Sequence, residues 1–296
     1  MDWTLREIRY LLAVLDAGSF TEGAAEAGVS QAAMSRAIAG VERRVGAPLL
    51  RRTAHGCHPT PLGAEVAQQA RRVLAEVEHL DALSRGRHRR LRVGYAWAAA
   101  GRHTATLMRQ WSTRHPDLEL QLVRHNSATA GLVEGRCDAA ILRSSPDRPG
   151  LDSIVVGLET RMVAYASDDP RWSRRRQIGL AEIAERTVII DPRTGTTTGE
   201  LWSDNAAPVN FKEIGDIEEW FDAIAAGHGV GITSEATPEH HTRPGVVFRP
   251  LRDSPSIVVH LAWWRDRPPS GLAELVDDMT ALYRSRPIRG RRRTAP

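Results

Sequence analysis

Residues 19–46, SFTEGAAEAGVSQAAMSRAIAGVERRVG, constrain this chain more than any other stretch. They read as two helices joined by a tight turn. Ser19, with Glu22 three residues on, has the form of a capping box. Ala24, Ala25 and Ala27 are small enough for a second helix to cross closely, and Gly28 accepts a backbone angle that a side chain penalises. Ser30 caps again. The second helix carries Met34, Ala37, Ile38 and Val41 in an i, i+3, i+4, i+7 stripe. Its other face presents Gln31, Ala32, Ser35, Arg36 and Arg43. Gln and Arg can bond base edges bidentately, and an alanine methyl can meet a thymine methyl. The pattern is a helix-turn-helix with a polar, cationic recognition face. The alternative is an ordinary helical hairpin in a core. Charge weighs against it: residues 30–60 hold Arg36, Arg43, Arg44, Arg51 and Arg52 against the single acid Glu42.

Upstream, Leu5, Ile8, Leu12 and Leu15 make an apolar stripe, so residues 4–17 are a helix that packs on the hairpin. Downstream, Leu49 and Leu50 signal a short strand, with a turn near 55–56. Arg51, Arg52 and His55 then sit on a β-wing suited to phosphate or minor-groove contact. Thr60 and Pro61 mark the next helix start. Residues 62–85 form a long helix in which Val66, Val73 and Leu80 repeat every seven, with Ala70 and Val77 between. That is a short coiled-coil seam for dimerisation, the alternative being a helix packed on its own domain. RGRHRR at 85–90 is a polar linker.

Strands and helices alternate thereafter, which implies two α/β lobes with parallel sheets. Extended segments fall at 91–97, 118–125, 139–143, 155–167, 188–191, 210–215, 230–233, 246–251 and 257–264. Helices are expected at 101–114, after Ser127, at 180–185, near 197–204, after Asp216 and at 271–285.

The net charge of +4 is unevenly spread. Residues 1–90 carry 13 basic and 10 acidic groups, and residues 284–296 carry six arginines and no acid. Residues 91–283 are net acidic, with 21 basic and 26 acidic groups, so a polyanion would meet the ends and not the middle. No apolar run reaches the ~18 residues of a membrane span, and the N-terminus has no apolar signal core. A cytoplasmic location is expected, without membrane contact. Cys57 and Cys137 build no disulfide framework. His55, Cys57 and His58 lack tetrahedral zinc spacing, and His240 with His241 reads as a loop pair, so no metal or cofactor is expected. No nucleophile elbow, P-loop or dinucleotide fingerprint is present, which argues against an enzyme.

The stretches RYLLAVLDAGSFTEGAAEAGVSQAAMSRAIAGVERRVGAPLLRRT, TPLG, LRVGYAW, RHPDLELQL, EGRCDAAI and AAGHGVGI resemble LysR-type transcriptional regulators over essentially the whole chain. The resemblance implies a winged helix-turn-helix at 1–61, a linker and dimerisation helix at 62–90, and a two-lobe periplasmic-binding-protein-like effector domain at 91–286. Lobe I takes about 91–160 and 265–286, and lobe II about 161–264. The crossing strands fall near 158–163 and 262–264, and 287–296 is an Arg-rich tail. The implied DNA-facing positions are Gln31, Ala32, Ser35, Arg36 and Arg52. The implied effector cleft lies between the lobes at helix N-termini, with Trp97, Ala98, Ser127, Arg143, Ser144, Thr196, Thr197 and Thr198 as candidates. Relatives often carry a hydroxyl in the loop after the first strand. This chain has none there, which argues against a carboxylate effector or moves its anchor to Ser127. Implied partners are double-stranded operator DNA, a small-molecule effector, RNA polymerase and further copies of the chain, as homodimer or homotetramer. The rival readings are a solute-binding protein or an enzyme on the same two-lobe fold. Residues 1–90 and the missing signal core count against the first.

Overall fold

A computed structural model describes residues 3–53, 56–84, 89–193, 196–202 and 210–285. His55 and the tail at 287–296 lie outside the described residues. The chain divides into two compact units, Met1–Arg89 with Val133–Arg136, and Arg90–Leu132 with Cys137–Pro296.

In the first unit, α1 (Leu5–Ala17), α2 (Phe20–Glu26) and α3 (Gln31–Val45) form the helical core. Thr4 and Glu7 close a reciprocal capping box on α1. Ser19 Oγ accepts from Thr21 and Glu22 N–H, and Ser30 Oγ accepts from Ala33 N–H. Gly28 adopts φ +66°, which lets Val29 N–H reach back to Ala24 O at 3.0 Å and ends α2 sharply. Met34, Ile38 and Val41 are buried, as their spacing requires. An antiparallel wing follows, β1 (Leu50–Thr53) with β2 (Gly56–Pro59), and then α4 (Pro61–Ser84). Glu42, the one acid of the 30–60 segment, is turned to the wing: its Oε1 accepts from Leu49 N–H at 2.8 Å and Leu50 N–H at 3.0 Å.

The second unit has two sheets. The first contains β3 (Arg89–Tyr95), β4 (Leu118–Arg124), β5 (Ala139–Leu142) and β6 (Leu151–Glu159), and α5 (Thr104–Arg114) belongs to the same lobe. The second contains β7 (Arg161–Ala166), β8 (Ile178–Gly179), β9 (Val188–Ile190), β10 (Phe211–Glu213), β11 (Val230–Ser234) and β12 (Val246–Arg252). Helices α6 (Leu180–Ile183), α7 (Ile217–Ala225) and α8 (Ala236–His240) belong to this lobe. The chain then returns to the first sheet as β13 (Ile257–Trp264) and ends in α9 (Leu272–Arg284). The strand orders are β4-β3-β5-β13-β6 and β10-β9-β11-β7-β12-β8.

Both sheets are mixed, which corrects the expectation of parallel ones. β3 runs parallel to β5, but β13 is antiparallel to β5 and β6, and β7 is antiparallel to β11 and β12. The reason lies in the crossings. The antiparallel strands β7 and β13 are the two that enter a lobe directly from the other one, after Thr160 and after residues 253–256, so neither is delivered by a strand–helix–strand unit within its own sheet. The pairing of β13 with β5 and β6 also places the return crossing at 253–256 and not at 262–264.

Lobe I buries Leu91, Val93, Leu107, Trp111, Val259, Leu261, Leu275 and Met279 together. Lobe II packs both sheet faces: Val163, Tyr165, Val188 and Val230 on one, Ala164, Ile189, Trp220 and Phe221 on the other. Every residue of β5 and β11 is buried, as near-continuous apolar runs demand.

Candidate DNA-contacting face and interlobe cleft

The exposed side of α3 shows Gln31, Ala32, Arg36 and Arg43, with Ser35 half-buried and wing residues Arg51 and Arg52 exposed. Arg52 ties the wing to the helix. Its guanidinium lies 4.1 Å from the Phe20 ring centroid, and its Nη2 donates to Ser35 Oγ at 3.1 Å. A cation–π contact at such a site contributes about 0.5–1 kcal/mol, so the guanidinium plane is held before any partner arrives. Phe20, which sequence reading had not selected, is 8% exposed and is the floor of this arrangement. Arg44 is turned aside, paired with Glu7 at 2.7 Å. Cys57 is buried in the core of this unit, so it is not a solvated wing residue. Burial pushes its thiol up, against the opposing charge of Arg52.

The expected seam on α4 divides. Val66 packs with Leu11, Val41 and Leu49, and Ala70 packs with Ile8 and Leu12, so both serve the core of their own unit. Val73 and Leu80 are 44% and 64% exposed, with Val77 intermediate between them.

In the second unit residues of both lobes line a narrow cleft of about 30 Å³. Lobe I contributes Trp97, Ala98 and Arg143. Lobe II contributes Ile189, Ile190, Asp191, Thr196, Thr197 and Trp220, then Ile232, Thr233, Ser234 and Thr237. Five of the eight sequence candidates therefore line it: Trp97, Ala98, Arg143, Thr196 and Thr197. The other three do not. Ser127 starts a series of turns and no helix, because Ala130 adopts φ +50° and Gly131 φ +90°. Its Oγ is occupied by Gly131 N–H at 3.1 Å. Ser144 and Thr198 are exposed. The helix expected near 197–204 is only a 3-10 turn, Gly199–Leu201, and residues 203–209 lie outside the described residues.

The cleft's charges are already paired. Arg143 Nε and Nη2 donate to the two Glu159 oxygens at 2.7 and 2.8 Å, and Nη2 also reaches Ala99 O. Tyr283 from α9 donates its hydroxyl to the same carboxylate at 2.8 Å. Burial pushes the Glu159 carboxyl up, but Arg143, Ser234 and Tyr283 outweigh it and hold it below the usual carboxylate range. Asp191 accepts from Arg193 Nε at 3.2 Å and from Asn126 Nδ2 at 3.0 Å. Thr233 and Thr237 share a hydroxyl bond of 2.6 Å, and Thr197 Oγ1 donates to Ile232 O.

Several contacts hold the lobes together. The Trp97 ring packs edge-on against Trp220, centroids 5.4 Å apart. His241 Nε2 donates to Trp97 O at 2.8 Å, and His240 Nε2 lies 3.2 Å from Gly101 O and 2.9 Å from Thr104 Oγ1. The expected loop pair is thus the end of α8 and an interlobe tie. Burial pulls the His240 imidazole below its ordinary value, which favours the neutral ring. Gly101 makes the close approach possible: it sits at φ +55°, and a Cβ there would stand 2.7 Å from Ala236 Cβ. Sequence reading missed Glu159, Asp191, Trp220 and these histidines. None lies in a local motif, and only the tertiary fold brings Asp191 and Trp220 to the cleft, Glu159 behind Arg143 and the histidines to the contact between lobes.

A winged helix-turn-helix unit joined to a two-lobe unit with a cleft between its lobes defines a class, the one-component DNA-binding regulators. The comparisons narrow it. Residues 5–64 match the bacterial regulatory helix-turn-helix protein, lysR family, and residues 84–281 match the LysR substrate binding domain. The chain belongs to the LysR family of transcriptional regulators. It is 28% identical over 293 residues to the probable cat1 operon transcriptional activator of Acinetobacter lwoffii, covering 94% of this chain and 97% of that one. It is 30% identical to the small neutral protease regulatory protein of Streptomyces coelicolor, covering 96% and 93%. The crystal structure of CbnR, a LysR family transcriptional regulator, shares the fold with a TM-score of 0.70 at 20% identity, over 96% of this chain and 100% of that one. Among the described residues no helix is long and apolar enough to cross a membrane.

Proposed function

We propose that this regulator binds a two-fold operator in the cytoplasm as a homodimer, or as a pair of dimers, and that an effector in the interlobe cleft sets its activity without being turned over. Gln31 and Arg36 read base edges. Ser35, Arg43, Arg51 and Arg52 meet phosphate or the minor groove, and Ala32 leaves room for close approach. The carrying observation is that one exposed surface presents Gln31 and Arg36 beside a wing arginine already fixed by Phe20 and Ser35. A solved CbnR structure is described as complexed with its target DNA, which supports the reading by analogy of fold. Gln31→Ala and Arg36→Ala each cost ~1–3 kcal/mol at one operator and relax base preference there. Arg52→Ala weakens all sequences evenly and lowers the salt slope by about 1. Footprinting against randomised operators at several salt concentrations checks both, and equal losses on every sequence from all three variants would count against the assignment.

Assembly runs through the outer half of α4. Its apolar stripe at Val73, Val77 and Leu80 is left over once Val66 and Ala70 have been used in the core. Val73→Glu places a charge in that contact in both partners, so sedimentation shows a smaller species at micromolar concentration while both units keep their thermal transitions. An unchanged oligomer would place the interface elsewhere.

A ligand touching both lobes favours the closed arrangement by its differential affinity for it. Closure then reorients the linker helices and alters half-site spacing, DNA bending or contact with RNA polymerase without requiring dissociation.

A further inference from the structure

The space between the lobes is filled by the chain itself. The loop after β3 reads Ala96-Trp97-Ala98-Ala99-Ala100-Gly101, so Trp97 is its one large side chain. Ala98, Ala99 and Ala100 are buried, and the last two join the core of lobe I, which fixes the loop there. Trp97 instead packs on a cluster of lobe II, with Ile189, Ile217, Trp220 and Phe221. Among the described residues of that cluster it is the one that lobe I supplies. Ile189 and Trp220 also line the cleft, so the apolar wall that lobe II offers there is already in contact with a ring. What remains of the cleft is about 30 Å³, room for a water molecule or two but not for a ring.

Two lobes close when something binds the closed arrangement better than the open one. A side chain fixed to one lobe does this without the loss of free motion that a dissolved ligand suffers. Other described bonds between the lobes are polar. Asn126 Nδ2 donates to Asp191 Oδ2 at 3.0 Å and to Gly215 O at 3.1 Å, and the His240 and His241 rings bond the loop as above. Such bonds exchange for water when lobes part, so each contributes little net. The apolar faces of the Trp97 ring gain nothing comparable from water.

We propose that Trp97 is a tethered occupant of the interlobe cleft: its ring joins lobe I to lobe II as a ligand would, so the closed arrangement is set by this side chain and needs no bound small molecule. An effector then acts on lobes that are already closed, and shifts them only by contending with the ring for lobe II. That consequence rests on the reading that the effector occupies this cleft; the closure itself does not.

The test uses the full chain, with indole as the only probe molecule, and follows hydrogen–deuterium exchange by mass spectrometry. The facing segments are 96–104 and 236–241, and β5 and β11 report the interior of each lobe. In the wild type both facing segments are protected. In Trp97→Ala they exchange about tenfold faster or more, while β5 and β11 keep their protection. Millimolar indole restores protection in Trp97→Ala, because a free ring takes the vacated place, and leaves the wild type unchanged, because the place is filled. Trp97→Phe, which keeps a smaller ring, gives a several-fold increase at the same segments and serves where the alanine variant does not fold. Equal exchange at the facing segments in the wild type and both variants overturns the proposal. Faster exchange in β5 as well also overturns it, since Trp97 would then be a core residue of lobe I. Protection of the wild type by indole, or none in Trp97→Ala, overturns it too. None of these measurements uses an effector, so failure of the closure leaves the effector reading untouched.

Discussion

Glu159→Gln lowers the stability of the effector-binding unit by ~3–5 kcal/mol, because it leaves a buried guanidinium facing a neutral amide. Calorimetry should place that loss in one transition and leave the transition of residues 1–89 in place, since the two units have separate cores. At roughly 2–4 °C per kcal/mol for a unit of this size, the shift is on the order of 10 °C. The pH dependence has a definite sign. The Glu159 carboxyl is held down in the folded chain, so its contribution is complete above the unfolded carboxylate value and is lost as pH falls through the folded one. The gap between wild type and variant therefore narrows in acid. Adding Arg143→Met to Glu159→Gln removes the unpaired charge and recovers part of the loss, while the amide oxygen can still accept from Tyr283. A gap that persists unchanged in acid, or a double variant no better than the single, would show that the pair is not the source.

Leu11→Ala acts on the other unit. Leu11 is fully buried against Val41 and Leu49, so it joins α1, α3 and the entry to the wing. Truncation costs ~2–5 kcal/mol, with the spread set by how far the site collapses. A unit of this size has little stability in reserve, so operator affinity falls at 37 °C and recovers on cooling. The slope of affinity against salt stays that of the wild type, because no phosphate contact is lost. That separates a folding defect from removal of Arg52, which changes the slope. Loss of affinity equal at all temperatures would mean that Leu11 does more than hold the core.

Much of the first unit could be read locally. The stripe of Met34, Ile38 and Val41, the caps at Ser19 and Ser30, and the positive φ at Gly28 each follow from side chains within one or two turns. The cap at Asp216 before α7 is of the same kind. A helix period and a cap are short-range properties, and tertiary packing had only to accept them. The second unit was legible as alternating strands and helices, but its sheet directions were not, because β7 and β13 each enter their sheet straight from the other lobe, with no crossover helix to make them parallel to their neighbours.

The cleft depended on the tertiary structure most of all. Arg143, at the end of a buried strand, was one of the effector candidates that the family resemblance implied. In the fold Glu159 stands opposite it, brought from β6 by the register of the sheet, and the charge is already used. Ser127 looked like a cap, but backbone at Ala130 and Gly131 turns away before a helix forms. Trp97 and Trp220 meet because one lobe closes on the other at Gly101. The residue types on the exposed face of α3 and along α4 were set by the sequence alone, since helical spacing decides which side chains share a face. Which charges in the cleft remain available was set by tertiary pairing, since a buried ion's partner comes from whatever strand lies beside it.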